Sequence, residues 1–303
     1  MTHTTDLTIT PRAPFDFTLT VHSHGWAGLP PTSWDAEEDV LDRMERLRDG
    51  EVVRLSIYDA GSVEAPRVAI AVEHAGALSA EQEAEIEGLV RRILRADEDL
   101  RPFYALCRER GHPWREIPAG FGRLLRSPTL FEDTVKTICT TNIQWGGTRR
   151  MVQGLVDVLG APYPGDRSLH AFPTAEAVAA ASPETLTETV RMGYRGPYVH
   201  ALAKRVASGE LDLEGLYHSD LDTPALREKL LSIRGVGPYA AATLLMLIGH
   251  YDYLAVDTAF RQFVQARHFD GQRPTDAEAR AIYADWGKWK YLAYWFERRH
   301  ASR

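Results

Sequence analysis

The side chain in this sequence best placed to do chemistry is a carboxylate. Asp257 closes the apolar run Leu254-Ala-Val and precedes an amphipathic segment carrying Phe260 and Phe263. A carboxylate at such a junction can cap the helix that follows, or it can stabilise a cation formed in front of it. Eighteen residues before it, Tyr239 belongs to Leu230-Leu-Ser-Ile-Arg-Gly-Val-Gly-Pro-Tyr-Ala-Ala-Ala-Thr-Leu. There one helix is expected to end near Ile233, and Gly235-Val236-Gly237 to make a tight turn. Pro238 then suits the first turn of the next helix. Glycines let the backbone approach a phosphate, and free N–H groups at a helix start carry the positive end of the dipole. Taken alone, such a turn serves equally well as a plain connection between helices.

The elements that must hold these residues fall into two regions. Phe15 to Val21, Val53 to Tyr58 and Val68 to Val72 alternate apolar and polar residues and are expected to be strands. Ser79 opens an acidic-first helix from Glu81 to Leu94, with Leu89, Val90, Ile93 and Leu94 as its apolar stripe. Beyond residue 100 the pattern is helical almost throughout. Ser127-Pro128, Ser182-Pro183 and Thr223-Pro224 are expected helix starts, Gly160 a helix end, and Gly193 and Gly196 a turn. The expected fold is α+β: a small N-terminal antiparallel sheet with a helix over residues 1–100, then a mainly α, two-lobed domain over 101–303, its hairpin at 224–248.

With 303 residues, 44% hydrophobic and 25% charged, the chain has an ordinary globular composition and no apolar run of membrane-spanning length. Met1 to Arg12 is polar and Thr-rich, which predicts a loose end without a secretory signal and a cytoplasmic, nucleoid-associated location. Two cysteines, Cys107 and Cys139, exclude a disulfide framework and any four-cysteine metal site within the chain, so chemistry without a metal is expected. The net charge of −7 is unevenly spread. The first hundred residues hold 9 Lys/Arg against 20 Asp/Glu, leaving 26 against 22 for the remainder. Phosphate binding depends on the local field, so the acidic front does not forbid it.

The hairpin followed by Val256-Asp-Thr resembles the helix-hairpin-helix DNA glycosylase superfamily, in which hairpin and catalytic aspartate stand in this order at this separation. The resemblance runs over about residues 115–297 and takes in Ser127-Pro-Thr-Leu-Phe-Glu-Asp-Thr-Val-Lys-Thr-Ile-Cys-Thr-Thr-Asn-Ile-Gln, Phe172-Pro-Thr-Ala-Glu-Ala-Val and Met192-Gly-Tyr-Arg-Gly-Pro-Tyr. Residues 15–95 look like the extra N-terminal domain of the alkylpurine and 8-oxoguanine branches. The iron–sulfur loop of many shorter members is absent from the sequence.

The resemblance implies an enzyme of base excision repair that flips a damaged base from duplex DNA and cuts its glycosidic bond. Breaking that bond builds positive charge on the sugar, which Asp257 would stabilise while orienting or deprotonating water. Gly235, Val236, Gly237 and Tyr239 would grip the DNA backbone, with Arg149 and Arg150 opening the next helix as further phosphate contacts. Asn142, Ile143 and Gln144 would fill the gap left by the flipped nucleotide. On local grounds Asn142 is as readily a helix C-cap and Ile143 a buried residue. Bifunctional members carry a nucleophilic lysine where this chain has Tyr239, so the resemblance implies a monofunctional enzyme. Lys288 and Lys290 lie elsewhere in the sequence. Tyr239, Tyr291 and Trp295 are the pocket candidates among many aromatics. The last two are spaced i, i+4 on one helix face and match the C-terminal helix that lines the base pocket in relatives.

Aromatic walls and a hairpin without lysine favour an alkylated purine. Ile138-Cys-Thr-Thr-Asn is closer to the 8-oxoguanine branch, and His22-Ser-His-Gly-Trp lacks that branch's Gly-Gln-x-Phe-Arg-Trp pattern. The other readings are an 8-oxoguanine-type glycosylase and a non-catalytic hairpin module that binds DNA. The expected partner is double-stranded DNA with a damaged base, met by a monomer with no membrane contact. No cofactor is expected beyond, at most, a monovalent cation where the hairpin meets phosphate.

Overall fold

The computed structural model describes residues 2–301. An antiparallel sheet of five strands opens the chain: β1 (His3–Ile9), β2 (Thr32–Asp35), β3 (Val40–Arg46), β4 (Val52–Asp59) and β5 (Val68–His74), in spatial order β1-β5-β4-β3-β2. Registers such as Leu7 opposite Ile70, Leu55 opposite Val72 and Leu41 opposite Ile57 put alternate apolar residues on one face. Helix α1 (Phe17–Val21) precedes β2, and α2 (Ala80–Leu94) follows β5. Ser79 and Gln82 close a capping box at the start of α2, which buries Ile86, Val90, Ile93 and Leu94. Each of these side chains contributes about 1.5–3 kcal/mol of burial.

The rest is helical apart from a short ribbon: α3 (Arg101–Arg110), α4 (Leu130–Thr140), α5 (Trp145–Leu159), β6 (Pro162–Tyr163), β7 (Asp166–His170), α6 (Ala175–Ala180), α7 (Gly196–Ala207), α8 (Thr223–Leu231), α9 (Pro238–Ile248), α10 (Thr258–His268), α11 (Asp276–Ala281) and α12 (Lys290–Ala301). The α+β class is as the sequence implies. No helix among the described residues is long and apolar enough to cross a membrane.

Contacts divide the chain into residues up to Asp99 with Ala119–His218, and Leu100–Pro118 with Ser219–Arg303, so one break does fall at residue 100, but the helical stretch 119–218 groups with the N-terminal sheet. The physical reason lies in α4, whose residues Leu130 to Cys139 are all buried although Glu132, Asp133 and Lys136 are among them. Arg43 of β3 holds Glu132 through two hydrogen bonds of 3.0 and 2.7 Å, Lys136 Nζ lies 2.7 Å from the same carboxylate, and Glu45 lies 2.5 Å from Arg43 Nε. Burial opposes the Glu132 charge, but Arg43 and Lys136 pull its carboxyl down to about 2. Asp133 accepts from Trp26 Nε1 (2.7 Å), Ser127 N (2.9 Å) and the Tyr217 hydroxyl (3.2 Å). Burial nonetheless pushes its carboxyl up to about 6.

Several local expectations are corrected. The stretch from Phe15 to Val21 is not a strand: Asp16 Oδ1 accepts from Leu19 N at 2.7 Å and nucleates α1, which buries Phe17, Thr20 and Val21 at helical spacing. The supposed loose end forms β1, because Leu7 and Ile9 alternate inward opposite β5; Met1 lies outside the described residues. Strand β3 escaped notice because Arg43 and Glu45, charged in sequence, face inward. Two helix starts shift: Thr129 caps α4 in place of Ser127, and Asp222 caps α8 in place of Thr223. Ser182 does cap its turn, accepting from Thr185 N at 3.1 Å.

Candidate active site

In the second unit, α8 and α9 form the expected hairpin. Asp222 Oδ1 accepts from Ala225 N at 2.9 Å to start α8, and Val236 N–H returns to Ile233 O at 3.0 Å to tighten the turn. Gly235 has φ +93°, a left-handed conformation in which a side chain is strained. Gly237 is the extended N-cap of α9, exposed, with open space where a Cβ would stand. The N–H groups of Gly237, Tyr239 and Ala240 have no intrahelical acceptor and carry the positive end of the α9 dipole. Ile233 and Val236 are buried beneath the turn, so Val236 offers only its backbone, whereas Tyr239 is 45% exposed.

Asp257 is the N-cap of α10, and its Oδ1 accepts from Phe260 N at 2.7 Å. Capping and chemistry do not compete, because a carboxylate has a second oxygen. Tyr291 and Tyr294 of α12 lie within electrostatic reach of Asp257. Tyr291 and Trp295 stack with centroids 6.0 Å apart and planes 17° from parallel, as i, i+4 spacing on one face requires. Burial pushes the Tyr291 phenol up, reinforced by Tyr294, Tyr239 and Asp257. Burial likewise raises Tyr294, with Asp257 adding to the effect. Tyr291 therefore stands within electrostatic reach of both the hairpin tyrosine and the aspartate.

Sequence reasoning missed what holds α12 against α10. Buried Glu297 accepts from the Tyr283 hydroxyl at 2.5 Å and lies 3.2 Å from His268 Nε2 and 3.5 Å from Arg267 Nε. The Phe260 and Phe263 rings meet Tyr294 at 5.0 and 5.7 Å. Nothing in the local pattern distinguishes Glu297 from a solvated helix charge. Trp286 and Trp289 are buried against Phe103 and belong to the core. Lys288 Nζ lies 4.7 Å over the Trp289 ring.

In the first unit, Asn142, Ile143 and Gln144 link α4 to α5 on an exposed corner. Thr141, rather than Asn142, caps α4, and Asn142 takes φ +49°. Ile143 is 39% exposed, so the buried alternative is ruled out. Its side chain lies back over Gly147, where an added Cβ would come within 2.4 Å of Ile143 Cδ1. Trp145, 45% exposed, lies against Gly25 in the same way. The corner is pinned from behind, since Arg195 Nη2 donates to Thr141 O and Thr148 Oγ1 donates to Cys139 O at 3.0 Å. Arg195 lies in the Met192–Tyr198 stretch that carries part of the resemblance, but the sequence alone assigns no role to it or to Gly147. Arg149 and Arg150 are exposed but sit in the second turn of α5, which Trp145 rather than the arginines opens.

Residues 135–288 match the family described as HhH-GPD superfamily base excision DNA repair protein, and the chain belongs to that family. It is 24% identical over 218 residues to a DNA-3-methyladenine glycosylase of Bacillus subtilis, covering 70% of this chain and 71% of the relative. Among solved structures it resembles the 3-methyladenine DNA glycosylase of Archaeoglobus fulgidus, at TM-score 0.68 and 20% identity over 95% of this chain and 96% of the other. An 8-oxoguanine glycosylase/lyase of Clostridium acetobutylicum shares the fold at TM-score 0.66 and 16% identity, over 98% of each chain.

Proposed function

We propose that this base excision repair protein is a monofunctional DNA N-glycosylase that hydrolyses the glycosidic bond of an alkylated purine in duplex DNA. The observation that carries the reading is Asp257: one carboxylate oxygen fixes the start of α10 and the second is the one offered for chemistry, with Tyr291, which stacks on Trp295, in electrostatic reach of both Asp257 and Tyr239. With the base drawn out of the helix, its cationic ring stacks on the α12 aromatics. Asp257 stabilises the oxocarbenium sugar and orients water for attack. The Gly235-Val236-Gly237 turn and the start of α9 grip a phosphate through backbone N–H groups, with a monovalent cation as the one auxiliary ion such a contact would take. Arg149 and Arg150 add phosphate contacts, and Asn142, Ile143 and Gln144 fill the vacated stack. The protein acts as a monomer on DNA inside the cell.

The alkylpurine assignment is supported by the aromatic stack and by the similarity to a DNA-3-methyladenine glycosylase of B. subtilis. Hydrolysis without strand cleavage is supported by Tyr239, whose phenol has no amine with which to form a Schiff base. Single-lesion duplexes carrying 3-methyladenine, 7-methylguanine or 8-oxoguanine test both parts, with strands resolved on denaturing gels with and without alkali and with borohydride present. Release of methylpurines, with nicks only after alkali and no trapped adduct, is expected. Preferential release of 8-oxoguanine, or stoichiometric trapping, would overturn the substrate or the hydrolytic assignment respectively.

A further inference from the structure

We propose a divalent transition-metal site, suited to zinc, formed by His112, Glu116 and His300 on the outside of the second unit. One ligand atom from each residue lies within 4.8 Å of the others. His112 Nδ1 is 2.7 Å from Glu116 Oε1, and His300 Nε2 is 3.8 Å from Glu116 Oε2. Two ligands of a tetrahedral zinc, each about 2.0–2.1 Å from the ion, stand about 3.3 Å apart, a separation that these two distances bracket. Two imidazoles and a carboxylate are a borderline donor set that selects zinc or cobalt over magnesium or calcium, and an exposed rim leaves the fourth position to water.

The groups converge because separate pieces of chain are packed together, and this distinguishes the cluster from chance surface acid. His112 and Glu116 flank the turn after α3, whereas His300 is on the last turn of α12. Trp114, between the first two, donates from Nε1 to Ala293 O at 3.1 Å, which holds the turn against α12 one side chain away from the ligands. Phe296 packs on His300 at 5.7 Å, and the His112 and His300 rings meet edge-on at 5.7 Å, so both imidazoles are oriented before any ion arrives. A bound ion replaces the hydrogen bond between His112 and Glu116 with three metal bonds and staples the C-terminal end of α12, the helix that carries Tyr291 and Trp295, to the turn. The site is architectural, takes no part in base release, and does not depend on the proposed substrate.

The test uses full-length protein stripped with chelator and titrated with cobalt(II), followed by displacement with zinc. One equivalent should produce the visible bands of low-coordinate cobalt, zinc should abolish them, and zinc should raise the melting temperature. His112→Ala and His300→Ala should each weaken binding at least tenfold and remove the zinc-dependent rise in melting temperature. His3→Ala, which changes a histidine of the other unit, should leave both readouts intact. Both ligand histidines lie on the surface, and near-wild-type melting without metal confirms that the variants fold; Gln replacements serve if either Ala variant does not. Absence of a saturable signal in the wild-type protein, or a signal that survives in both the His112 and His300 variants, would overturn the proposal.

Discussion

Glu132→Gln leaves two buried cations with one carboxylate fewer. Glu132 receives both guanidinium nitrogens of Arg43 at 3.0 and 2.7 Å and the ammonium of Lys136 at 2.7 Å, and the three side chains are between 1% and 3% exposed. Glutamine keeps the size and removes the charge, so only Glu45 is left to balance Arg43 while Lys136 loses its anion. Breaking a buried pair from one side costs about 3–5 kcal/mol, because the remaining charge stays desolvated. For a unit of this size each kcal/mol lowers the melting temperature by about 2–4 °C, so a loss of about 10 °C is expected. Calorimetry together with urea unfolding measures it. Replacing Arg43, Glu132 and Lys136 together by methionine should recover most of the loss, since well-packed apolar groups often match a buried ion network. A single-variant loss below about 1 kcal/mol would refute the claim that this network fastens α4 to the sheet.

Gly237→Glu should weaken binding to every duplex, damaged or intact, without altering lesion preference, because a phosphate grip carries no base information. The open space at Gly237 and its extended backbone predict that the variant folds normally, and a filter-binding series across sequences and salt concentrations distinguishes the outcomes. Asp133 provides a pH test. Its folded-state pKa, raised from 3.8 to about 6 by burial, means that the native protein holds a proton which the unfolded chain releases. Its contribution to stability is therefore full below about pH 4 and lost as pH rises through 6. Asp133→Asn should flatten that fall, measured as unfolding free energy against pH from 4 to 7; an unchanged slope would contradict the assignment.

The hairpin and Asp257 were legible because their signals are local: glycines where the backbone needs them, proline at a first turn, and a carboxylate at a helix start. The i, i+4 spacing of Tyr291 and Trp295 likewise translated directly into a stack. Features made by distant pairing were not legible. Arg43 and Glu45 break the alternation of β3 because they face the buried charges of α4, 89 residues away in the case of Arg43 and Glu132. Phe15 to Val21 alternates as a strand would, yet the Asp16 cap makes it a helix. The bracing by Glu297 and Arg195, and the convergence of His112 with His300, depend on which segments the fold brings together, and no local pattern encodes that.

The central claim, that Asp257 performs the chemistry, is tested most directly by single-turnover base release from a methylpurine duplex with Asp257→Asn. Asparagine retains an oxygen that can accept from Phe260 N, so α10 keeps its cap and the fold is preserved. The account predicts that release falls by at least about 100-fold, the loss expected when a catalytic carboxylate is neutralised, while affinity for an abasic duplex changes little. Release by the folded variant at a rate close to wild type would contradict it.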